Sequence, residues 1–175
     1  LRPLGKSAED YYIKQRDNNE KLEAKKKFYE MKAESDIIQA KEKNNPDDVS
    51  AVNNFNQTFG QYKNQQLSQV KNKRVKRKLE LLLNADQPES VYKIKAASFE
   101  ALEAQNIDMY NTEQNTLSAE YSLSKDPNLK DIAKQKRIES AKEFENMHLM
   151  GKPWLNKEIQ TINTDSAIFD ADVAI

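Results

Sequence analysis

Few residues of this chain have the types and spacing that catalysis needs. His148 is the single histidine of the 175 residues, cysteine is absent, and there are three glycines. A transition-metal site needs several nitrogen, sulfur or carboxylate ligands, and a seryl nucleophile needs a base. A loop that cradles phosphates needs closely spaced glycines. The sequence therefore offers no catalytic residue and no metal, cofactor or small-molecule site, and it favours a structural or interaction protein over an enzyme.

A basic segment in the middle of the chain is the exception. Six cations occupy the eight positions 71–78, namely Lys71, Lys73, Arg74, Lys76, Arg77 and Lys78. Such a cluster can contact the phosphates of DNA or of lipid headgroups. However, Val75 and Leu79 interleave with the cations as the apolar stripe of a helix would, which favours a solvated helix face. Lys+Arg and Asp+Glu both number 28, so the net charge is zero, and at most a local, salt-sensitive contact is predicted.

The composition restricts the kind of core that the chain can build. The hydrophobic fraction is 37 %, the charged fraction is 32 % and the mean hydropathy is −0.94, whereas ordinary globular domains are about 45–50 % apolar and about 25 % charged. Long helices that each bury one narrow stripe are compatible with these values. No apolar run approaches the roughly 20 residues that span a bilayer, so no transmembrane segment is predicted.

Glycine and proline mark the ends of the predicted elements, because both residues break helical runs. All of them except Gly60 lie in clusters, namely Pro3 with Gly5, Pro46, Pro88, Pro127, and Gly151 with Pro153. The pattern predicts an all-α fold, an elongated bundle of long helices joined by short turns, at least two thirds helical and without a sheet. The predicted helices are 7–43, 46–84, 89–124 and 128–150, and together they make one helical region over 1–152.

Individual residues refine these boundaries. Ser7 is predicted to cap the first helix, Asn45 the second, and Gly151 to stop the fourth. Residues 84–88 are predicted to form a turn, and a weak point near Asn72 can divide the second helix in two. Gly60 predicts a kink or a close approach of two helices.

Two stripes of apolar residues compete on the first helix. The longer one is interrupted by Gln15, Asn19 and Lys26 and consists of Tyr12, Leu22, Tyr29, Ala33, Ile37 and Ala40. The shorter one beside it consists of Phe28, Met31 and Ile38. Five tyrosines lie on helical apolar faces of this kind, which predicts core or interface use over base stacking. They are Tyr12, Tyr29, Tyr92, Tyr110 and Tyr121.

The last stretch, residues 153–175, is among the most apolar parts of the chain. Its large apolar residues are Trp154, Leu155, Ile159, Ile162, Ile168 and Phe169. We expect a helical tail that packs on another subunit or on further chain, which makes these residues the predicted oligomer interface.

Taken in order, these elements resemble the amino-terminal region of the large internal virion proteins of short-tailed bacteriophages. The resemblance spans about residues 11–162. It is carried by the successive segments EKLEAKKKFYEMKAESDIIQA, NPDDVSAVNNFNQTFGQYKNQQLSQVKNKRVKRKLELLL, VYKIKAASFEALEAQNIDMYNTEQNTL and SKDPNLKDIAKQKRIESAKEFENMHLMGKPWLNKEIQ. They share with that family the order of a long helix, a proline turn, an aromatic stripe that ends in a basic segment, and two further helical segments.

The resemblance implies a structural, oligomeric component of the internal core of the capsid. Proteins of this family are ejected ahead of the genome and become part of a channel across the host envelope and periplasm. The implied partners are copies of the chain itself and other virion proteins, such as portal or core components, with weak non-specific DNA contact. The lytic transglycosylase activity of some members resides in a separate domain that nothing here matches. The alternative is a coiled-coil scaffold or a membrane-surface-binding helical protein that places the basic segment on anionic lipid.

Overall fold

The structure, a computed structural model, describes the backbone of residues 3–148 and 150–173 and the side chains of residues 7–148 and 150–171. The described residues form five α-helices: α1 (Pro3–Lys41), α2 (Asp48–Gln69), α3 (Lys73–Leu123), α4 (Pro127–His148) and α5 (Lys152–Val173). Of the residues that the structure describes, 91 % are helical and none lies in a strand. The predicted all-α fold is therefore confirmed.

The chain divides into two compact units, Leu1–Glu103 and Ala104–Ile175. The first unit holds α1, α2 and the first part of α3, and the second holds the rest of α3 with α4 and α5. The division lies inside α3, whereas the division predicted from the sequence lies between residues 152 and 153. It lies there because α5 packs on α4 instead of standing apart from the helices before it.

The first two helices begin at residues that differ from those predicted from the sequence. The helix α1 begins at Pro3, before the predicted cap Ser7, because a proline fits the first helical turn. The helix α2 is capped by Asp47 and not by Asn45, since the Asp47 carboxylate accepts hydrogen bonds from the N–H groups of Val49 and Ser50 at 3.1 Å. The Asn45 side chain instead accepts from the N–H of Asp47, at 3.1 Å.

The weak point predicted near Asn72 is confirmed. The helix α2 ends at Gln69, and Val70 takes an extended conformation with φ −80° and ψ 105°. The side chain of Asn72 then accepts hydrogen bonds from the N–H groups of Arg74 at 2.9 Å and Val75 at 3.4 Å. Asn72 therefore caps a new helix, because a side-chain oxygen in this position satisfies donors that have no partner within the helix.

The turn predicted over residues 84–88 is wrong, because α3 continues through Pro88. Tertiary contacts stabilise the helix on the N-terminal side of this proline. Lys32 of α1 donates to both carboxylate oxygens of Asp86, at 2.9 and 3.0 Å, and Lys63 of α2 donates to Asn84 Oδ1 at 2.9 Å. On the far side, Ile94 is buried in the core. These contacts outweigh the roughly 3 kcal/mol by which an interior proline disfavours a helix.

The first unit has its core between the three helices. Phe55 and Phe59 of α2 are buried there with Val75 and Leu79 of α3, so the aromatic stripe of this segment faces the core. The helix α1 contributes its shorter stripe, as Met31 and Ile38 are buried and Phe28 is partly buried. A Cβ built on Gly60 meets no atom of the described residues within 4 Å, so the close helix approach predicted there is wrong.

Within the second unit, α3 and α4 are separated where the sequence predicts a break. Asp126 accepts a hydrogen bond from the N–H of Asn128 at 2.9 Å and opens α4 at Pro127. Gly151 has φ 84°, the left-handed conformation expected of a residue that stops a helix. The core of this unit joins Tyr110 of α3, Ala141 and Phe144 of α4, and Ile162 of α5.

Candidate functional site

The basic segment lies where α2 gives way to α3. Lys71 lies in the connection, and the other five cations lie in the first two turns of α3. Val75 and Leu79 are fully buried, so the predicted interleaving of an apolar stripe with the cations is confirmed. Exposed positions are occupied by Lys71, Lys73, Arg74 and Arg77, whereas Lys76 and Lys78 are half-buried.

Lys78 differs from the other five because its charge is used within the first unit. Its Nζ donates hydrogen bonds to Asp17 and, at 3.2 Å, to Glu20, which is buried. Hydrogen bonds from Lys21 and then from Lys78 lower the pKa of Asp17 from 3.8 to about 2. The pKa of Lys78 is raised, chiefly by its hydrogen bond to Asp17. Lys78 therefore serves to hold α3 against α1, whereas the predicted phosphate contacts of the basic segment stay a prediction.

The four exposed cations are named here the basic rim: Lys71, Lys73, Arg74 and Arg77. They surround the first turn of α3, where the positive end of the helix dipole already favours negative charge. The rim can attract a polyanion through a contact that weakens as salt rises. Nothing in its arrangement reads a base sequence, since sequence readout needs side chains placed against base edges.

The apolar tail is α5, and its own unit covers most of it. Ile162 is fully buried, and Trp154 and Leu155 pack against the same core. The rings of Tyr110 and Phe144 stack with centroids 4.5 Å apart, and the ring of Trp154 lies 5.6 Å from that of Phe144. From the sequence, another subunit or further chain is expected to cover these residues. The structure differs because α3 and α4 supply the cover.

Two tyrosines of α3 form hydrogen bonds to the tail through their hydroxyl groups. Tyr110 Oη donates to Glu158 Oε1 at 2.9 Å, and Tyr121 Oη donates to Asp170 Oδ2 at 2.8 Å. Burial, more than the hydrogen bond to Glu158, raises the pKa of Tyr110. The core use predicted for these two tyrosines is thus confirmed, whereas the other three predicted with them, Tyr12, Tyr29 and Tyr92, are exposed.

The remaining tail residues are covered to different degrees. Phe169 is half-buried, with its ring centroid 6.3 Å from that of Tyr121, and Ile159 is half-buried as well. Ile168 is exposed. Of the predicted interface residues, Ile168 is the one whose side chain this unit leaves open, and its contact with another subunit stays a prediction.

A buried polar cluster in the second unit was not predicted. Arg137 is buried, its Nε donates to Gln114 Oε1 at 3.1 Å, and its terminal nitrogen donates to Asp165 Oδ2 at 3.1 Å. Gln114 Nε2 donates in turn to the carbonyl oxygen of Arg137 at 2.9 Å. The cluster ties α3, α4 and α5 together. In the sequence Gln114 resembled an interruption of an apolar stripe, so no local signal indicated this role.

His148 lies beside a cavity of about 350 Å³ in the second unit. Its ring stacks on Phe144 with the centroids 4.3 Å apart. The cavity is also lined by Glu113, whose carboxylate accepts a hydrogen bond of 2.6 Å from Ser140. No group of three or more His, Cys, Asp or Glu side chains that could hold a metal ion occurs among the described residues.

The longer stripe of α1 faces away from the core. Leu22, Tyr29 and Ile37 are 65 %, 65 % and 52 % exposed. They are called here, with Ala33 and Ala40, the outer stripe of α1. The sequence identifies these residues as a stripe, and the structure adds that neither α2 nor the first part of α3 covers them.

An apolar groove of about 300 Å³ runs beside the outer stripe, between α1 and α3. Its floor and far wall are formed by Ala24, Leu81 and Leu82. Leu81 is itself exposed. Lys21 and Lys25 line the edge of the groove on α1. The outer stripe and this groove both lie on a side of α1 that the described residues of the first unit leave open.

Comparison with known proteins gives no family for this chain. No protein-family model matches it, and neither a curated protein nor a solved structure matches it significantly. Among the described residues, no helix is both long enough and apolar enough to cross a membrane.

Proposed function

We propose that this chain is a non-catalytic structural subunit of the internal core of a short-tailed phage particle. It assembles there with copies of itself and with other virion proteins, such as portal or core components. After ejection it becomes part of the conduit that carries the genome through the host envelope. The proposal takes its biological setting from the resemblance in the order of helices and turns. It takes its assembly role from the surface of the first unit.

The observation that carries the assembly role is the exposure of the outer stripe. Leu22, Tyr29 and Ile37 lie on a helix whose opposite side is already buried by α2 and α3. Scattered exposed apolar residues are ordinary, whereas exposed apolar residues aligned along one side of a helix, here with Lys26 between Leu22 and Tyr29, mark an interaction site. A subunit of a core or a conduit needs such a surface to hold its neighbours.

The distribution of charge supports the conduit part of the proposal. Positive and negative side chains balance at 28 each, and the basic rim is a local feature. A wall rich in lysine and arginine would hold the phosphates of the passing genome and slow its transfer. A balanced surface with one small basic rim allows weak, salt-sensitive and sequence-blind DNA contact.

Mass spectrometry of purified virions tests this proposal directly. Particles of the phage whose genome carries this gene should contain several copies of the chain. After infection, the chain should fractionate with the host envelope. Absence of the chain from purified particles, or a gene neighbourhood without portal and capsid genes, would contradict it. A peptidoglycan-hydrolysis assay on the chain tests the non-catalytic part, and turnover would overturn that part alone.

One observation favours a second candidate, a scaffold that binds the membrane surface. The four cations of the basic rim are exposed on one segment, and each cation close to an anionic membrane contributes about 1 kcal/mol of attraction. Sedimentation with vesicles of phosphatidylserine and phosphatidylcholine distinguishes the candidates. Strong binding to these vesicles but not to neutral ones, by a chain that purified virions lack, would favour the scaffold.

A further inference from the structure

The helix α1 has two apolar sides, and the first unit covers only one of them. Ala24, Met31 and Ile38 are at most 4 % exposed, whereas Leu22 and Tyr29 on the outer stripe are 65 % exposed. A helix that is apolar on one side is stable at the surface of a bundle, and one that is apolar on more sides is buried on more sides. The outer stripe therefore needs an occupant.

The spacing of the outer stripe is nearly symmetric about its centre. Leu22 precedes Tyr29 by seven residues, and Ile37 follows it by eight. These intervals correspond to about 10 Å and 12 Å along a helix axis. If a second α1 lies antiparallel on the first, Leu22 of each copy meets Ile37 of the other and the two Tyr29 side chains meet at the centre. A twofold axis produces this kind of interface, in which both subunits use the same patch.

The charges beside the outer stripe also favour an antiparallel arrangement of the two helices. Lys25 and Lys26 are exposed beside the first half of the outer stripe, and Glu30 and Asp36 are exposed beside its second half. Lys32 also lies on this half of α1, but its nearest partner is Asp86 at 2.9 Å, and it lies 3.9 Å from Asp36. An antiparallel copy places the lysines in the first half of the stripe on each α1 against the carboxylates in the second half of the stripe on the other α1. A parallel copy would place like charges together, which is unfavourable across an interface.

We infer that the occupant of the outer stripe is a second copy of this chain, with the two α1 helices packed antiparallel about a twofold axis at Tyr29. Lys25 of each copy then lies beside Asp36 of the other. A stable interface buries about 800 Å² on each partner, and one helix face is smaller than that. The groove wall at Leu81 extends the surface, and we expect dimers whose fraction rises with concentration. This inference rests on the assembly role proposed above.

Cysteine crosslinking tests the arrangement, because the native chain has no cysteine. A disulfide requires Cα atoms about 4.4–6.8 Å apart. Tyr29→Cys should therefore crosslink with itself under mild oxidation. Leu22→Cys should not, but it should crosslink with Ile37→Cys when the two variants are mixed. Met147→Cys, at an exposed site of the second unit, measures crosslinking by random collision. Rapid self-crosslinking of Leu22→Cys would overturn the antiparallel arrangement, and no crosslinking above that background would overturn the dimer.

A charge exchange tests the pairing of Lys25 with Asp36 without altering the apolar stripe. Asp36→Lys in the full chain should raise the dimer dissociation constant by about tenfold or more, because lysines then face each other at two places. The double variant Lys25→Asp/Asp36→Lys should restore it to near the native value. Circular dichroism confirms that each variant is folded. A double variant as weak as the single one would overturn the inference. Crosslinked antiparallel dimers of a chain missing from purified virions would overturn the virion role and leave the dimer standing.

Discussion

At the scale of single residues, Gly60 weakens a helix although no packing contact requires a glycine there. It lies inside α2, and a Cβ there meets no atom of the described residues within 4 Å. Glycine in a helix interior is less favourable than alanine by roughly 0.5–1 kcal/mol. Gly60→Ala should therefore raise the free energy of unfolding by about that amount, measured by urea denaturation followed by circular dichroism.

Gly151 is the matched control, because its backbone has φ 84°. A residue with a side chain is strained in this region by roughly 1–2 kcal/mol. Gly151→Ala should lower the free energy of unfolding by a comparable amount in the same assay. If Gly60→Ala lowered it as well, the open face assigned to α2 at this position would be wrong.

The pKa of Asp17 gives the stability a specific dependence on acid. This pKa lies at about 2 in the folded protein against an ordinary value of 3.8. A carboxylate with a lowered folded pKa contributes stability that is present above the unfolded pKa and is lost as pH falls through the folded one. Asp17→Asn should therefore flatten the loss of stability between about pH 4 and pH 2. Lys78, whose pKa is raised, should show the opposite sign, with stability lost as pH rises above its ordinary pKa of 10.5.

Carbon-detected NMR of the Asp17 carboxyl group measures this directly. Its resonance should titrate near pH 2 in the native chain and move towards 3.8, its ordinary pKa, when Lys21 and Lys78 are both replaced by methionine. A carboxyl that titrates near its ordinary pKa in the native chain would contradict the ion pair between α1 and α3.

At the scale of helices, Pro88 shows where local rules stop being sufficient. A proline next to Asn84, Asp86 and Gln87 predicts a turn from the sequence, and nothing local argues otherwise. What keeps α3 helical is contact with residues far away in the chain, such as Lys32 and Lys63. By contrast, the breaks at Pro46, Asn72, Pro127 and Gly151 were predicted correctly, because there the local capping residues and the tertiary structure agree.

Pro88→Ala should stabilise the first unit. It restores an N–H donor for the carbonyl of Asn84 and removes the clash of the ring with that turn, so the free energy of unfolding should rise by up to about 3 kcal/mol. Pro127→Ala is the control, since Pro127 opens α4 and a proline in the first turn lacks only a donor that has no helical partner. Equal effects of the two substitutions in thermal unfolding would contradict the continuous helix.

The candidate site was predictable in part for a similar reason. The sequence shows both stripes of α1 but does not indicate which of them is buried, because that depends on which faces of α2 and α3 pack against α1. The shorter stripe with Met31 is buried, and the longer one with Tyr29 remains exposed. Lys78 looked equivalent to its neighbours in the basic segment, since its partners Asp17 and Glu20 lie about 60 residues away. The sequence does not show which helices of the same chain cover Ile162, and in the structure α3 and α4 cover it.

The basic segment gives a prediction with an internal control. Replacing the four cations of the basic rim by glutamine should remove whatever DNA binding the chain shows in a filter-binding assay at low salt, because each phosphate contact contributes to the salt-dependent affinity. Lys78→Gln should leave that binding unchanged and lower the stability instead. Binding that survives high salt, or that prefers one sequence, would contradict the role of a conduit that releases its cargo.

At the scale of the whole molecule, the composition and the exposed stripe have one explanation. With 37 % hydrophobic residues, each unit builds a narrow core between long helices. Most helical stability comes from packing of an amphipathic face rather than from propensity. An additional apolar face on α1 is therefore understandable in a subunit that gains part of its stability from its neighbours.

Sedimentation velocity of the full chain over a range of concentrations tests this central claim most directly. The native chain should shift from monomer towards dimer as concentration rises, and Leu22→Glu/Ile37→Glu should remain monomeric with unchanged helicity. Met147→Glu, at an exposed site of the second unit, should behave as the native chain does. A native chain that stays monomeric and folded at every concentration, or a double variant that associates as well as the native chain, would contradict the account.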